Sequence, residues 1–195
     1  MPTGVALRDV REQLFAAAER VLLRDGPSGL TSRAVTTEAA VAKGVLHRHF
    51  TDFDDFLAAF VLDRADRMAP QATSLLATAG TGTVTDNVTT ALVAVFGSVA
   101  VAIVPLITFR DELRQRLRHT WPAGVPVLTE AATMLADYLA AERDAGRLSP
   151  TAEVDVLAAT LIGATHLLHA DRTGPAPAID AVRRTVTAVL AGALP

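Results

Sequence analysis

The sequence predicts an all-α protein, an N-terminal three-helix helix-turn-helix head on a larger helical body. Three observations carry this. Apolar residues recur at intervals of three and four along most of the chain, the spacing of a helix with one buried face. The segment LTSRAVTTEAAVAKGVLHRHF, residues 30–50, reads as two short helices joined by a tight connection. Clusters of turn formers, DGPSG at 25–29, HTWPAGVP at 119–126 and RLSP at 147–150, punctuate the apolar stripes.

The first helix is expected over residues 7–24, with Val10, Leu14, Ala17, Val21 and Leu22 on one side and Arg8, Arg11, Glu12, Glu19 and Arg20 on a solvated face. Thr31 can cap the next helix, whose face carries Ala34, Val35 and Ala39. Val41 to Lys43 forms the turn, and a short helix follows through Leu46, His47, Arg48 and His49 to Phe50. A helix in this position enters the major groove with its N-terminal residues at the base edges, which places Lys43, Gly44 and Val45 there. Thr51 or Asp52 caps a fourth helix, with Asp54 or Asp55 one turn in and Phe53, Phe56, Leu57, Phe60, Val61 and Met68 on its apolar side.

Beyond Pro70 the composition shifts to Ala, Thr, Val and Gly, and Asp86 is the only charge between Arg67 and Arg110. The uncharged run 91–109 has two readings, a membrane span or a core helix. Pro105 and the lack of flanking basic clusters favour a helix buried on all sides over 84–104, after a loop at 78–85, with another helix opening at Pro105. That helix turns charged from Arg110 to Arg118. Trp121 lies in the following loop, read as a hydrophobic plug or a ligand contact. An amphipathic helix over 127–145 carries Leu128, Ala131, Leu135 and Leu139, flanked by Met134 and Tyr138, and Gly146 ends it. Glu142 and Asp144, at its charged end, read as solvated. Ser149 and Pro150 are placed to start a helix running to about residue 170. After the linker DRTGPAPAID, Ile179, Val182, Val186, Val189 and Leu190 mark a last helix.

A chain of 195 residues that is 50% hydrophobic has ample material for a core. It has no Cys, which excludes disulfides and thiolate chemistry and leaves only His and carboxylates for zinc. The N-terminus lacks a basic segment followed by an apolar one, so no secretory signal is expected and the expected location is cytoplasmic. A net charge of −3 argues against a protein that coats nucleic acid. Residues 1–50 nevertheless hold seven Arg and Lys against five acids, a slightly basic tip on an acidic body. Such a tip touches few phosphates per subunit and needs a second subunit for useful affinity.

The run GLTSRAVTTEAAVAKGVLHRHFTDFDDFL resembles the DNA-binding segment of the TetR (tetracycline-repressor-like) transcriptional regulators. It departs from that pattern at Thr36, Ala40 in place of the turn Gly, Ala42 in place of the capping Ser, His47 in place of Tyr and Phe53 in place of Lys. The resemblance implies a DNA-binding domain over 1–52 and a ligand-binding and dimerisation domain over 53–195, with a connector helix at about 53–68. It assigns Arg33 and Lys43 to base or phosphate contact, Thr31 and Ser32 to the DNA backbone, and His47 and Arg48 to phosphate. Arg33 suits guanine, because its forked donors match O6 and N7. His49 and Phe50 are expected to be structural. The resemblance further implies a homodimer through the last two helices, the alternative being that these close the monomer's core.

The partners so implied are double-stranded operator DNA with a pseudo-palindromic site, a second copy of the chain, and a small, largely apolar effector that releases the operator. An effector pocket is expected among Phe96, Phe109, Trp121, Met134, Tyr138, Thr165, His166 and His169. The pair His166 and His169 with Asp171 nearby has the spacing of a partial metal site, but zinc needs further ligands, and an interface or pocket role is preferred. No phosphate loop, GxSxG elbow or HExxH pattern occurs, so neither an enzyme nor a cofactor is expected. Two other classes stay open: a small-molecule-binding helical protein with degraded DNA recognition, and a membrane-associated helical protein using the uncharged segment.

Overall fold

The computed structural model describes residues 4–122, 124–170 and 176–195, with side chains from residue 10 onward. Arg8 and Asp171, and the first half of the linker DRTGPAPAID, therefore lie outside the described side chains or residues. Regular structure among the described residues is helical throughout: α1 (Gly4–Gly29), α2 (Ser32–Glu38), α3 (Gly44–His49), α4 (Phe53–Asp66), α5 (Ala69–Leu76), α6 (Val84–Phe96), α7 (Ala100–Thr108), α8 (Asp111–Thr120), α9 (Pro126–Asp144), α10 (Val154–Leu168) and α11 (Ile179–Leu190). The chain divides into two compact units, residues 1–63 with 102–124, and residues 64–101 with 125–195.

The first unit is held by a cluster of phenylalanines. The Phe15 ring lies 6.0 Å from Phe50, 5.6 Å from Phe56 and 6.0 Å from Phe60, and Phe50 meets Phe56 edge-on at 5.1 Å. Leu14, Ala18, Val21, Val35 and Leu46 are completely buried around it. Each large side chain so buried contributes roughly 1.5–3 kcal/mol, which fixes two helices too short to stand alone. Helix α1 changes direction at Gly26, whose φ of 73° interrupts the helix two residues after Arg24. Asp52 accepts the Asp55 amide N–H at 2.9 Å, and Asp55 in turn accepts the Thr51 N–H at 2.9 Å, so the cap on α4 is Asp52. The same two turns of α4 hold α8: Arg110 pairs with Asp54 and lies 5.4 Å over Phe53, and Arg116 pairs with Asp52. The Asp52 carboxyl is held below its ordinary range, first by the Asp55 N–H and then by Arg116.

In the second unit α9, α10, α6 and α11 bury Leu92, Leu135, Leu139, Ala158, Leu161 and Val186 between them. Helix α9 ends as the sequence predicts: Gly146 has φ 73°, with Gly146 N–H donating to Arg143 O and Arg147 N–H to Glu142 O. Three expectations are corrected here. The helix expected over 84–104 stops at Phe96, because Ser98 donates to Val95 O and accepts the Ala100 N–H, so it closes α6 and caps α7, leaving Pro105 inside α7. Helix α6 is not buried on all sides, since Thr90 and Ala94 are open. Ser149 and Pro150 start a turn, closed by Ala152 N–H to Ser149 O, and α10 begins only at Val154. The segment 69–76, given no helix from sequence, forms α5 with Pro70 in its first turn, where a missing N–H costs nothing. No helix among the described residues is long and apolar enough to cross a membrane alone.

Candidate nucleic-acid interface and ligand cavity

The helix-turn-helix edge is built from the start of α2, its turn and α3. Thr31 caps α2, its Oγ1 accepting the Ala34 N–H at 3.1 Å. Helix α2 closes with the paired turn bonds seen at α9: Ala40 N–H donates to Thr37 O and Val41 N–H to Thr36 O, both at 3.0 Å. This turn forces the residue after the helix into the left-handed region, and the residue there is Ala40, at φ 53°. Lys43 precedes α3 without a side-chain cap, as expected from the missing Ser. Leu46 and Phe50 bury the inner side of α3.

Of the residues assigned to DNA from sequence, Thr31, Arg33, Lys43, Gly44, His47 and Arg48 are exposed, while Ser32 and Val45 are half-buried. The Ser32 hydroxyl is buried with no hydrogen-bond partner among the described residues. The cations separate into two groups. Arg20 and Arg24 both donate to Glu38, at 2.7 and 2.9 Å, and Arg24 also pairs with Asp25 at 3.0 Å. These bonds, led by that from Arg20, hold the Glu38 carboxyl below its ordinary value, so the cluster stays ionised and self-neutralised. Arg11 lies 4.6 Å over the Phe50 ring. Arg33, Lys43 and Arg48 have no hydrogen-bond or ion-pair partner among the described residues. The free positive charge of this edge is thus confined to α2 and α3, and Lys43 is the chain's sole lysine.

In the second unit a cavity of about 220 Å³ opens between α5, α6 and α9. Leu75, Ala91 and Met134 form its apolar wall and Thr78, Asn87 and Thr90 its polar one. Behind Asn87 runs a chain of hydrogen bonds. Asn87 Nδ2 donates to the Tyr138 hydroxyl at 2.9 Å, and that hydroxyl donates to Glu142 Oε1 at 2.5 Å. Glu142 is completely buried and is further held by the Gly80 N–H at 3.3 Å and by Arg147 at 3.4 Å, so the solvated position expected for it is wrong. Asp144, by contrast, is exposed. Burial, and then the bond to Glu142, push the Tyr138 hydroxyl up to about 12, which keeps its proton in place.

The residues expected to line one pocket do not come together. Met134 lines the cavity, and Tyr138 stands one hydrogen bond behind its wall. Phe96 stacks on His169 at 5.2 Å and lies 6.2 Å from His166, away from that lining. His169 Nδ1 is bonded to Thr165 O at 2.9 Å, and the Thr165 hydroxyl and His166 Nδ1 are buried without partners among the described residues. Phe109 and Trp121 belong to the first unit, and Phe109 is 85% exposed. No group of three or more metal-ligating side chains occurs among the described residues. What was missed is Asn87 with Thr90, Ala91 and Ala94. Their spacing on α6 forms a face of small and polar residues in a largely apolar segment, and that was the signal.

Comparison with known proteins agrees with this geometry. Residues 14–60 match the family described as Bacterial regulatory proteins, tetR family. No curated protein matches the chain. Among solved structures, a TetR-family transcriptional regulator from Rhodococcus sp. is 17% identical over 96% of this chain and 100% of its own, with a TM-score of 0.72. The reduced form of NemR from E. coli is 16% identical over 95% and 97%, with a TM-score of 0.74. FadR from Bacillus subtilis, in complex with stearoyl-CoA, is 16% identical over 93% and 98%, with a TM-score of 0.67.

Proposed function

From a chain that carries the N-terminal domain of the tetR family and the fold of its members, we propose a ligand-responsive repressor that binds a pseudo-palindromic operator as a homodimer. The observation that carries this reading is the trio Arg33, Lys43 and Arg48, unpaired on the exposed edge of α2 and α3 while Arg20 and Arg24 are neutralised within the head. Unpaired cations on such a helix pair suit phosphates and guanine edges, with Thr31 and Ser32 at the backbone, His47 at phosphate, and Gly44 and Val45 at the groove floor. Two heads must reach groove faces about 34–36 Å apart, which requires a second copy.

The outward face of α10 supports that pairing. Val156, Thr160, Gly163 and Leu167 fall on one side of the helix at spacings of four and three, with Val156 56% and Leu167 75% exposed. The cavity between α5, α6 and α9 supports a small effector site, as does the ligand seen in the Bacillus subtilis FadR structure. To empty an operator almost completely, the effector must favour the non-binding state by about 5.5 kcal/mol.

The test uses the single lysine. Reductive methylation with ¹³C-formaldehyde labels Lys43 and the N-terminal amine alone. Duplex fragments flanking the coding region are expected to shift the Lys43 signal and to be retarded on gels, with both effects weakened in Arg33→Ala and Arg48→Ala. A Lys43 signal indifferent to every flanking duplex at low salt would favour the alternative, a ligand-binding helical protein without DNA recognition.

A further inference from the structure

We propose that the cavity between α5, α6 and α9 selects small molecules that carry a hydrogen-bond donor and no negative charge. This rests on the effector-site reading above and deepens it. The argument is one of proton inventory. Asn87 Nδ2 points at Thr81 O at 2.9 Å, a carbonyl that can only accept, so the amide orientation is fixed with its NH₂ group on that side. Its two protons are committed to Thr81 O and to the Tyr138 hydroxyl. That hydroxyl gives its own proton to Glu142, a buried carboxylate that accepts from all its neighbours. The order of donation therefore cannot reverse, and Asn87 keeps only its Oδ1 lone pairs for a ligand.

The two threonines of the wall are in the same condition. Thr78 donates its hydroxyl proton to Leu75 O at 2.6 Å and Thr90 donates to Asp86 O at 2.9 Å. Each can meet a ligand only as an acceptor. Gln71 and Ser74, both exposed, are the lining side chains still able to donate, and among the described residues no Lys, Arg or His lines the cavity. A carboxylate entering here would face acceptor lone pairs with no cation beside them, and it would lose its hydration without replacement. An alcohol, amide or amine would complete the pattern. A volume of about 220 Å³ lies below the roughly 300–1,000 Å³ of drug-sized sites, so the ligand is small.

Methionine supplies the readout, since Met134 lines the cavity and the chain has three methionines in all. Full-length protein labelled with [¹³C-methyl]methionine is titrated with benzyl alcohol, benzyl methyl ether and benzoate, which share a ring and differ in donor and charge. Benzyl alcohol is expected to move the Met134 signal with a Kd about three- to ten-fold below that of the ether, the worth of one net hydrogen bond, and benzoate is expected to leave it in place. Thr90→Val keeps the Asn87 chain intact and should narrow the alcohol-to-ether ratio. Ala91→Leu should fill the cavity and abolish the alcohol and ether responses while the Met68 signal stays as in the parent. The proposal is overturned if the ether or benzoate binds as well as the alcohol, or if none of the three moves Met134. Because the readout is the protein alone, it stands apart from the regulatory reading: a protein that discriminates these probes yet never binds DNA would sink that reading and leave the cavity's preference intact.

Discussion

Replacing Ala40 by Gly should make this protein more stable, although glycine ordinarily weakens a fold. Helices α2 and α9 end in the same doubly bonded turn, yet the residue forced to positive φ is Ala40 at 53° in one and Gly146 at 73° in the other. An L side chain in the left-handed region costs about 1–2 kcal/mol, and the added chain entropy of glycine costs about 0.5–1 kcal/mol. The difference favours Ala40→Gly by about 0.5–1 kcal/mol, and the reciprocal Gly146→Ala should lose a similar amount. A Cβ on Gly146 would meet nothing within 4 Å, so that loss is conformational and not steric. Urea titrations followed by circular dichroism read both variants, with the midpoint moving up for the first, down for the second and the slope unchanged. In thermal melts the gain corresponds to about 1–4 °C. If Ala40→Gly lowers the midpoint, or Gly146→Ala raises it, the turn geometry argued here is refuted.

Other outcomes follow from the two units. Tyr138→Phe keeps the ring but takes one hydrogen-bond partner from each of Glu142 and Asn87, and should cost about 1–3 kcal/mol in the same titrations. Asp52→Ala removes the α4 cap and should cost about 1 kcal/mol, whereas Asp52→Asn keeps an acceptor for the Asp55 N–H and loses only the charge. Because the folded Asp52 carboxyl is held below its ordinary value of 3.8, its contribution is present at neutral pH and is lost as pH falls below that value; Asp52→Asn should flatten that acid limb of the stability curve. In the DNA-binding role, Arg48→Ala should weaken all duplexes alike and lower the salt slope by about one per subunit, while Arg33→Ala, if it reads guanine, should relax discrimination by about 1–3 kcal/mol. Val156→Glu places a charge on the proposed pairing face and should yield a monomer by light scattering.

Helix content and the helix-turn-helix were legible because both rest on local signals: apolar spacing, the Thr31 cap, and the turn formers at Gly26 and Gly146. The ends of α6 and α10 were not, because they depend on competing side-chain bonds. Ser98 looks like one more small residue in an apolar run until its hydroxyl is seen bonded to Val95 O and to the Ala100 N–H. Ser149 looks like a helix cap, but its N–H is taken by Ala193 O, 44 residues along the chain, a pairing that no local pattern announces. Glu142 sits among charged neighbours in sequence, and only the fold brings Tyr138, Gly80 and Arg147 onto it. Of the residues expected around an effector, Met134 lines the cavity, whose remaining room lies where Ala91 and Ala94 stand beside Asn87, small side chains that carry no pocket signal of their own.

The internal neutralisation of Arg20 and Arg24 has a consequence for how such a molecule would travel. With three unpaired cations per head, a pair of heads would engage at most about six phosphates, and its log affinity would fall with log salt at a slope no steeper than about −5. Bulk chromosome, offering about 10⁶–10⁹ decoy positions, would then hold it loosely at cellular ionic strength. Residence at one address would depend on the fit of a few side chains to the bases, which is the fit an effector would have to undo.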